Sequence, residues 1–315
     1  MPEKKQKARS MKIECFLPEK ALTNEMLSSI YDGWTAEGIY AKTGIRERRI
    51  AEDSVSALDL ADKAANRLFA SYAIDPQSID FLLLCTQSSP LRLPSSSCLL
   101  QERLRLRRNI GALTIDHGCS GFVYGLAVAK GLLSGGMASR VLLITAETYS
   151  KYIDRNDRST RAIFGDGAAA TLLDSADLPR MGNFVFGTDG SGADTLTVKD
   201  GRLYMDGPEI FNFTLEAVPQ AIDRVLAANG IGKEDIDLFV FHQANRFMLD
   251  AIRKVCALPR EKFHVNLENT GNTVSSTIPI ALKQLSDEGR LTEGMRVMLV
   301  GFGVGLSWGA TIIEC

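Results

Sequence analysis

The stretch of sequence that decides the fold occurs twice. Residues 74–85 read IDPQSIDFLLLC and residues 231–242 read IGKEDIDLFVFH, so each copy leads from an Ile-Asp pair into an apolar run of strand length. Each copy also follows an amphipathic helix, predicted over 57–72 and over 216–228. The two copies lie about half a chain apart, which indicates an internal duplication.

Two more pairs of segments match in the same order. RVLLI at 140–144 parallels RVMLV at 296–300, and ATLL at 170–173 parallels ATII at 310–313. Because three ordered matches rarely arise by chance, we interpret the chain as two similar halves.

Apolar strands alternate with helices within each half. In the first half, strands are predicted near 81–86, 111–115 and 140–146, and helices near 95–106 and 119–134. Strands this apolar are covered by helices on both faces of a sheet. Two such halves predict an α/β fold, a duplicated five-layer α/β/α/β/α sandwich with pseudo-two-fold symmetry.

The pattern also predicts how the chain is divided. SADLPR at 175–180 interrupts the alternation, so the halves are expected to be 11–175, carrying a candidate nucleophile, and 176–315. Residues 1–10 are highly charged and are predicted to form a disordered tail.

Composition excludes several function classes. The chain has 315 residues, 45% hydrophobic and 23% charged, and its net charge of −2 gives no strong field that favours nucleic acid or a membrane surface. No apolar run approaches the ~18 residues that a membrane span needs, so membrane insertion is not expected. Six scattered cysteines and three histidines predict no disulfide framework and no metal site, and they indicate a cytoplasmic location.

The two halves place special residues at equivalent points. DHGCSGF at 116–122 and NTGNT at 269–273 each lie between a predicted strand and a helix, and aligning their glycines puts Cys119 opposite Asn272. A helix N-terminus favours negative charge, so Cys119 is expected to have a lowered pKa and to act as a nucleophile. A buried small residue is the alternative interpretation.

His242 is the second candidate, because it ends the apolar strand LFVF at 238–241, and strand C-termini are where α/β sheets bind ligands. A capped structural histidine is the alternative. His117 and His264 are weaker candidates, predicted to be structural. GFGVG at 301–305 is similar to a dinucleotide-binding loop, but too few residues follow it for a strand–helix–strand unit.

Taken together, these segments resemble the β-ketoacyl-acyl-carrier-protein synthase III family of the thiolase superfamily, over about residues 11–315. Six short motifs carry the resemblance: TGIRER at 43–48, GCSGF at 118–122, FGDGA at 164–168, HQAN at 242–245, GNT at 271–273 and SWGA at 307–310.

The resemblance implies a thiolase-like homodimer and a Cys-His-Asn catalytic triad of Cys119, His242 and Asn272. It implies a decarboxylative Claisen condensation of an acyl thioester, on CoA or on acyl carrier protein, with malonyl carrier protein. The acyl group would be carried on Cys119, in fatty acid or specialised acyl-chain biosynthesis, without a bound cofactor. The backbone N–H groups of Cys119 and Val304 would form the oxyanion hole.

The resemblance also implies substrate contacts. Three sets of residues carry them: Lys42, Arg158 and Trp34 for CoA or pantetheine, Leu93 and Phe211 for the acyl pocket, and Arg246, Arg253 and Lys254 for carrier-protein docking. Leu93 aligns with a position that reaches across the dimer interface into the partner's acyl pocket.

Three departures from the family pattern bear on the substrate. Val304 stands where the family usually has glycine, Gly38 where the priming enzymes have tryptophan, and Thr270 where an aromatic residue or histidine is common. These departures argue against acetyl-CoA as the donor and favour a specialised paralogue. An acyltransferase that moves the acyl group from Cys119 to an alcohol or amine is the alternative. A non-catalytic subunit is disfavoured by the intact triad.

Overall fold

The computed structural model describes residues 11–315, so the tail predicted at 1–10 lies outside the described residues. The strands, numbered β1 to β14 in chain order, span Lys12–Phe16, Ala21–Thr23, Glu47–Arg49, Phe81–Cys85, Gly111–Ile115, Arg140–Glu147, Gly167–Asp174, Met181–Thr188, Leu196–Lys199, Arg202–Met205, Leu238–Phe241, Phe263–His264, Arg296–Gly303 and Ser307–Glu314. The helices, numbered α1 to α9, span Asn24–Ile30, Ala36–Thr43, Ala57–Ser71, Ser96–Arg103, Gly121–Ser134, Arg158–Arg161, Gly207–Asn229, Arg246–Val255 and Thr277–Asp287.

Two five-stranded sheets repeat one topology. The first has the order β1-β7-β6-β4-β5 and the second, read from the matching edge, has the order β8-β14-β13-β11-β12. In each sheet the last three strands run parallel and the first two join by antiparallel pairs. The matched pairs β4 with β11 and β6 with β13 are the segments that repeat in the sequence, so the predicted duplication is confirmed.

Helices cover both faces of each sheet and produce five layers. Helices α5 and α9 lie between the sheets, and their apolar side chains share one core with β4, β6, β11 and β13. Helices α3 and α4 pack on the outer face of the first sheet, while α7 and α8 pack on the outer face of the second. Both sheets are therefore buried on both faces, as their continuous apolar strands predict.

Two elements differ in length from the prediction. Helix α7 begins at Gly207 instead of near 216, because Asp206 caps its N-terminus by accepting from the Glu209 backbone N–H at 3.1 Å. Strand β12 ends at His264 instead of near 267, because the Asn266 N–H donates to the Gln243 side chain at 2.6 Å. Both boundaries are determined by side chains that accept a hydrogen bond, and the pattern of apolar residues does not reveal these side chains.

The chain passes from the first sheet to the second through a 3-10 turn at Ser175–Arg180. A division into halves at 175 stays a prediction that this turn supports. Within residues 11–315, none of the helices combines the length and apolar character needed to cross a bilayer.

The central layer generates a stability prediction. Leu126 of α5 is fully buried between the two sheets, so Leu126→Ala should lower the free energy of unfolding by about 2–5 kcal/mol. Met137→Ala, at a side chain that is 67% exposed, should change it by less than ~0.5 kcal/mol. Urea unfolding followed by circular dichroism measures both. Equal losses in the two variants would contradict the assignment of α5 to the core.

Candidate active site

Cys119 lies in the short loop between β5 and α5, buried against the end of β13. A Cβ atom at Gly303, where φ is +151°, would lie 2.8 Å from the Cys119 Sγ, and one at Gly301 would lie 2.7 Å from the Ser120 Cα. The glycines of the GFGVG segment therefore let a strand of the second half approach the nucleophile loop of the first.

The thiol of Cys119 is surrounded by protein. Burial raises the pKa of the Cys119 thiol to about 12, although the backbone N–H groups of Val304 and of Cys119 itself act to lower it. The lowered pKa expected at a helix N-terminus is therefore wrong, because loss of solvent outweighs these N–H groups. The same two N–H groups are the ones that the resemblance assigns to an oxyanion hole. Val304 stands where the resemblance expects glycine, and it is not among the non-glycine residues of 11–315 that have a left-handed backbone.

His242 follows β11 and is buried behind the same strand end. Its backbone N–H donates to the Val300 carbonyl at 2.8 Å, and its ring meets Phe302 edge-on with the centroids 5.5 Å apart. Burial lowers the pKa of the imidazole to about 3, and a hydrogen bond to the Val274 carbonyl opposes this shift only weakly. His242 is therefore neutral at physiological pH.

Asn272 is oriented by its own loop. Its Oδ1 accepts from the Val274 N–H at 2.8 Å, so its Nδ2 group is directed to the Nε2 atom of His242, at 3.5 Å. Val274 adopts φ +54°, a left-handed conformation that is rare for a β-branched residue. The structure thus places the two polar side chains predicted from sequence side by side.

Thr277 connects His242 to the same loop. Its Oγ1 lies 2.8 Å from the Nδ1 of His242 and 3.1 Å from the Val274 carbonyl oxygen. The single hydroxyl proton can bond to either of them, and its direction sets the imidazole tautomer. When the Thr277 hydroxyl donates to the Val274 carbonyl, its oxygen accepts from Nδ1–H, and Nε2 carries a lone pair that can accept a proton. When the hydroxyl instead donates to the lone pair of Nδ1, the ring proton is on Nε2, and Nε2–H is a donor.

The FGDGA segment at 164–168 holds the Asn272 loop in place. Asn272 donates its backbone N–H to the Ile163 carbonyl at 2.9 Å and accepts from the Gly165 N–H at 3.0 Å. The buried Asp166 anchors the segment by accepting from the backbone N–H groups of Ala51 and Ser150 at 2.7 and 3.0 Å. Gly165 cannot be larger, because a Cβ there would collide with the Thr270 carbonyl.

Glu147 is a site residue that the sequence analysis missed. It ends β6, is fully buried, and accepts from the hydroxyls of Ser88 and Ser275 at 2.7 and 2.8 Å and from the Gln87 N–H. Ser275 belongs to the Asn272 loop, so this carboxyl connects that loop to the first sheet. Burial raises the pKa of Glu147 to about 8. A glutamate at the end of the otherwise apolar RVLLITAE was the available signal.

A cavity of about 550 Å³, here called the entrance pocket, collects the residues expected to bind CoA or pantetheine. Trp34 and Lys42 line it, and the Arg158 guanidinium lies 5.6 Å from the Trp34 ring centroid. Phe247, 64% exposed, lies at the rim beside Asn245. The three predicted residues are thus brought together.

The two residues expected in the acyl pocket are not brought together in one chain. Phe211 stacks on Phe247 with the ring centroids 5.2 Å apart, which places it at the rim of the entrance pocket. Leu93 lies in the loop between β4 and α4 and is 83% exposed. A second cavity of about 320 Å³, here called the inner pocket, reaches Val304 beside the thiol instead.

The residues expected to dock a carrier protein lie on α8. Arg246 and Arg253 line a polar cleft of about 290 Å³, with Arg246 paired to Asp250 at 3.2 Å, and Lys254 is exposed to solvent. His117 packs against Tyr124 and His264 is buried beside Arg290. Residues 11–315 contain no group of three or more His, Cys, Asp or Glu side chains that could hold a metal ion.

The raised pKa of Glu147 generates a pH prediction. Between the ordinary glutamate pKa of 4.5 and about 8, the folded chain keeps a proton that the unfolded chain releases, so stability falls as pH rises through this window. Glu147→Gln cannot titrate, so its free energy of unfolding should fall less between pH 5 and pH 8 than that of the wild type.

Urea unfolding at pH 5, 6.5 and 8 tests this expectation. Glu216→Gln, at an exposed glutamate of α7, is the matched control and should follow the wild-type profile. Parallel profiles for Glu147→Gln and the wild type would show that Glu147 does not titrate in this range.

Comparisons with known proteins agree with this geometry. Models of 3-oxoacyl-[acyl-carrier-protein] synthase III and of its C-terminal part match residues 113–190 and 226–315. The beta-ketoacyl-[acyl-carrier-protein] synthase III of Caldanaerobacter subterraneus is 35% identical, with 95% of each chain covered. A crystal structure of a 3-oxoacyl-(acyl-carrier-protein) synthase III has TM-score 0.95 and 48% identity, covering 97% of this chain and 99% of that one.

A Thermus thermophilus synthase III structure has TM-score 0.90 and 36% identity, covering 96% of this chain and 98% of its own. These matches span both halves and include the segments that carry Cys119, His242 and Asn272. The chain therefore belongs to the β-ketoacyl-acyl-carrier-protein synthase III family and is an acyl-transferring condensing enzyme with the thiolase fold.

Proposed function

We propose that this enzyme joins an acyl thioester to malonyl carrier protein in a decarboxylative Claisen condensation, with Cys119 carrying the acyl group. The proposal is carried by a buried thiol with two backbone N–H groups and by the neutral His242–Asn272 pair. The loops that hold them are in contact, because a Cβ atom on Gly121 would lie 3.5 Å from the Ser275 Cβ. Relatives named as synthase III enzymes support it.

Acylation uses the first half of the site. The Cys119 sulfur attacks the thioester carbonyl, and the N–H groups of Cys119 and Val304 receive the developing oxyanion. The sulfur–carbon bond to Cys119 forms, the donor's own carbon–sulfur bond breaks, and the thiol proton passes through the Nε2 lone pair of His242 to the leaving thiolate. Because the thiol is neutral before attack, this proton transfer has to accompany bond formation.

Condensation uses the other half. Loss of CO₂ from the malonyl group leaves an enolate, whose oxygen is stabilised by the Asn272 Nδ2–H and by Nε2–H of His242 in the second tautomer. The enolate carbon attacks the acyl carbonyl, the bond to Cys119 breaks, and the Cys119 thiolate takes up a proton that comes from water. No step needs a bound cofactor.

The substrate arms are assigned from position. The entrance pocket would hold the pantetheine arm of CoA or of the carrier protein, with Lys42 and Arg158 facing its phosphates. Arg246, Arg253 and Lys254 of α8 would dock the acidic carrier protein beside this opening. Both substrates would therefore arrive from the same side.

We also propose that the enzyme is a cytoplasmic homodimer. Strand β5 is a sheet edge that carries the 45% exposed Leu113, and the exposed Leu91 and Leu93 lie in the neighbouring loop. An apolar edge of this kind is typical of an interface between chains. Leu93 would then reach the partner's acyl-binding cavity. Six free cysteines suit a reducing compartment.

Cys119 is expected to be the only cysteine that substrate acylates. It combines the two N–H groups with a place beside Val304, which lines the inner pocket, whereas Cys85 is fully buried beneath the loop. Brief treatment with a panel of acyl-CoA thioesters, followed by peptide mass mapping, measures this. Acylation at Cys85 or Cys256 in place of Cys119 would refute the assignment.

Asn272→Ala is expected to block condensation more than acylation. The variant loses one donor to the enolate oxygen, so malonyl carrier protein decarboxylation should fall by about two to three orders of magnitude while acyl-Cys119 still forms. Asn66→Ala, at an exposed asparagine of α3, is the matched control and should decarboxylate at the wild-type rate. Wild-type decarboxylation by Asn272→Ala, or acyl transfer to an alcohol without CO₂ release, would refute the condensing mechanism.

A further inference from the structure

The inner pocket beside Cys119 is not an apolar slot. Leu196, Val198 and Leu203 form one wall. The rest of the lining carries five side chains with hydrogen-bonding groups: Gln87, Asp116, Tyr149, Tyr152 and Thr197. A purely alkyl acyl group would offer no hydrogen bond to those of these groups that lack a partner, which disfavours such a group.

The amide of Gln87 lies next to the nucleophile. A Cβ atom placed on Gly118 would be 2.5 Å from the Gln87 Oε1 and 2.5 Å from a methyl group of Val304. Gly118 immediately precedes Cys119, so the amide flanks the start of any acyl chain attached to the sulfur. A substituent on one of the first few carbons of that chain would face this amide.

Two tyrosines fix which way this amide points. The Tyr149 hydroxyl donates to Gln87 Oε1 at 2.6 Å, and the Tyr152 hydroxyl donates to the Gln87 backbone carbonyl at 3.1 Å. Burial raises the pKa of Tyr149 well above its usual value, so this hydroxyl stays a donor. With Oε1 occupied, Gln87 offers its Nε2 hydrogens, which have no partner within residues 11–315.

The pocket also offers acceptors. The carboxylate of Asp116 is exposed to it and forms no hydrogen bond or ion pair within the described part of the chain, and the Tyr149 oxygen keeps lone pairs. A ligand group that accepts a hydrogen bond from Gln87 and donates one to Asp116 or Tyr149 would give these groups the partners they lack. A hydroxyl does both. An ammonium cannot accept, and a carboxylate would be repelled by Asp116.

We propose that the acyl donor of this enzyme carries a hydroxyl group on its third or fourth carbon, recognised by Gln87 in an orientation fixed by Tyr149. The inference rests on the proposed condensation, because it concerns the acyl group that Cys119 accepts. It accounts for a polar wall at a place where an unsubstituted fatty acyl chain would need none.

The experiment measures how fast Cys119 is acylated, by intact-protein mass spectrometry at successive times. The donors are matched and differ only in the hydroxyl group. Butyryl-CoA is the reference, and freshly prepared 3-hydroxybutyryl-CoA and 4-hydroxybutyryl-CoA are the test donors. We expect at least one hydroxylated donor to acylate the enzyme about tenfold faster than butyryl-CoA. Butyryl-CoA reacting as fast as both, or faster, would overturn the inference.

Variants of two pocket residues test whether Gln87 is the group that recognises the hydroxyl. Gln87→Leu should bring the ratio of the hydroxylated to the butyryl rate close to one, and Tyr149→Phe, which keeps the ring and releases the amide, should lower it several-fold. Gln77→Leu makes the same change at an exposed glutamine whose side chain donates to the Arg105 carbonyl, far from the pocket lining, and it should keep the wild-type ratio. An unchanged ratio in both pocket variants would contradict the role of Gln87.

Failure of this inference is distinguishable from failure of the proposed function. If butyryl-CoA acylates Cys119 and malonyl carrier protein then releases a β-ketoacyl product, the condensation stands and only the hydroxyl preference is lost. If no thioester in a wider panel acylates Cys119, the condensing mechanism itself fails.

Discussion

Val274 is held in a left-handed backbone conformation, and both polar partners of the nucleophile depend on it. Its N–H fixes the Asn272 amide, while its carbonyl lies 3.1 Å from the Thr277 hydroxyl oxygen, which also contacts the Nδ1 of His242. A β-branched residue in this region costs on the order of 1–3 kcal/mol, which full burial of the side chain in the core offsets. One strained residue thus aligns two side chains.

The duplication explains why these groups meet. Cys119 precedes α5 and Asn272 precedes α9, and these two helices are equivalent members of the central layer. The layer is covered by a sheet on each side, so the loops at its end are removed from water. Desolvation then keeps both the thiol and the imidazole neutral, and the site stabilises charge with N–H groups instead of a cation.

Much of this could be predicted from the sequence, because buried parallel strands leave continuous apolar runs, and their C-terminal ends predict where ligands bind. IDFLLLC and IDLFVFH revealed the repeat, and His242 was a candidate because it ends the second run. Periodicity carries no information on burial depth, so the direction of the Cys119 pKa shift was predicted wrongly. Glu147 was missed because its partners Ser88 and Ser275 are distant in sequence. The acyl-pocket role of Phe211 stays a prediction, and its contact with Phe247 could not be predicted because it depends on how α7 and α8 pack.

The central claim is that Cys119 is a neutral thiol and not half of a thiolate–imidazolium pair. The rate of alkylation of Cys119 by iodoacetamide, followed by peptide mapping between pH 6 and pH 10, tests it most directly. A thiol with a pKa of about 12 should react about tenfold faster for each pH unit across this range, without a plateau. A rate that is already constant from pH 6 upward would contradict the account.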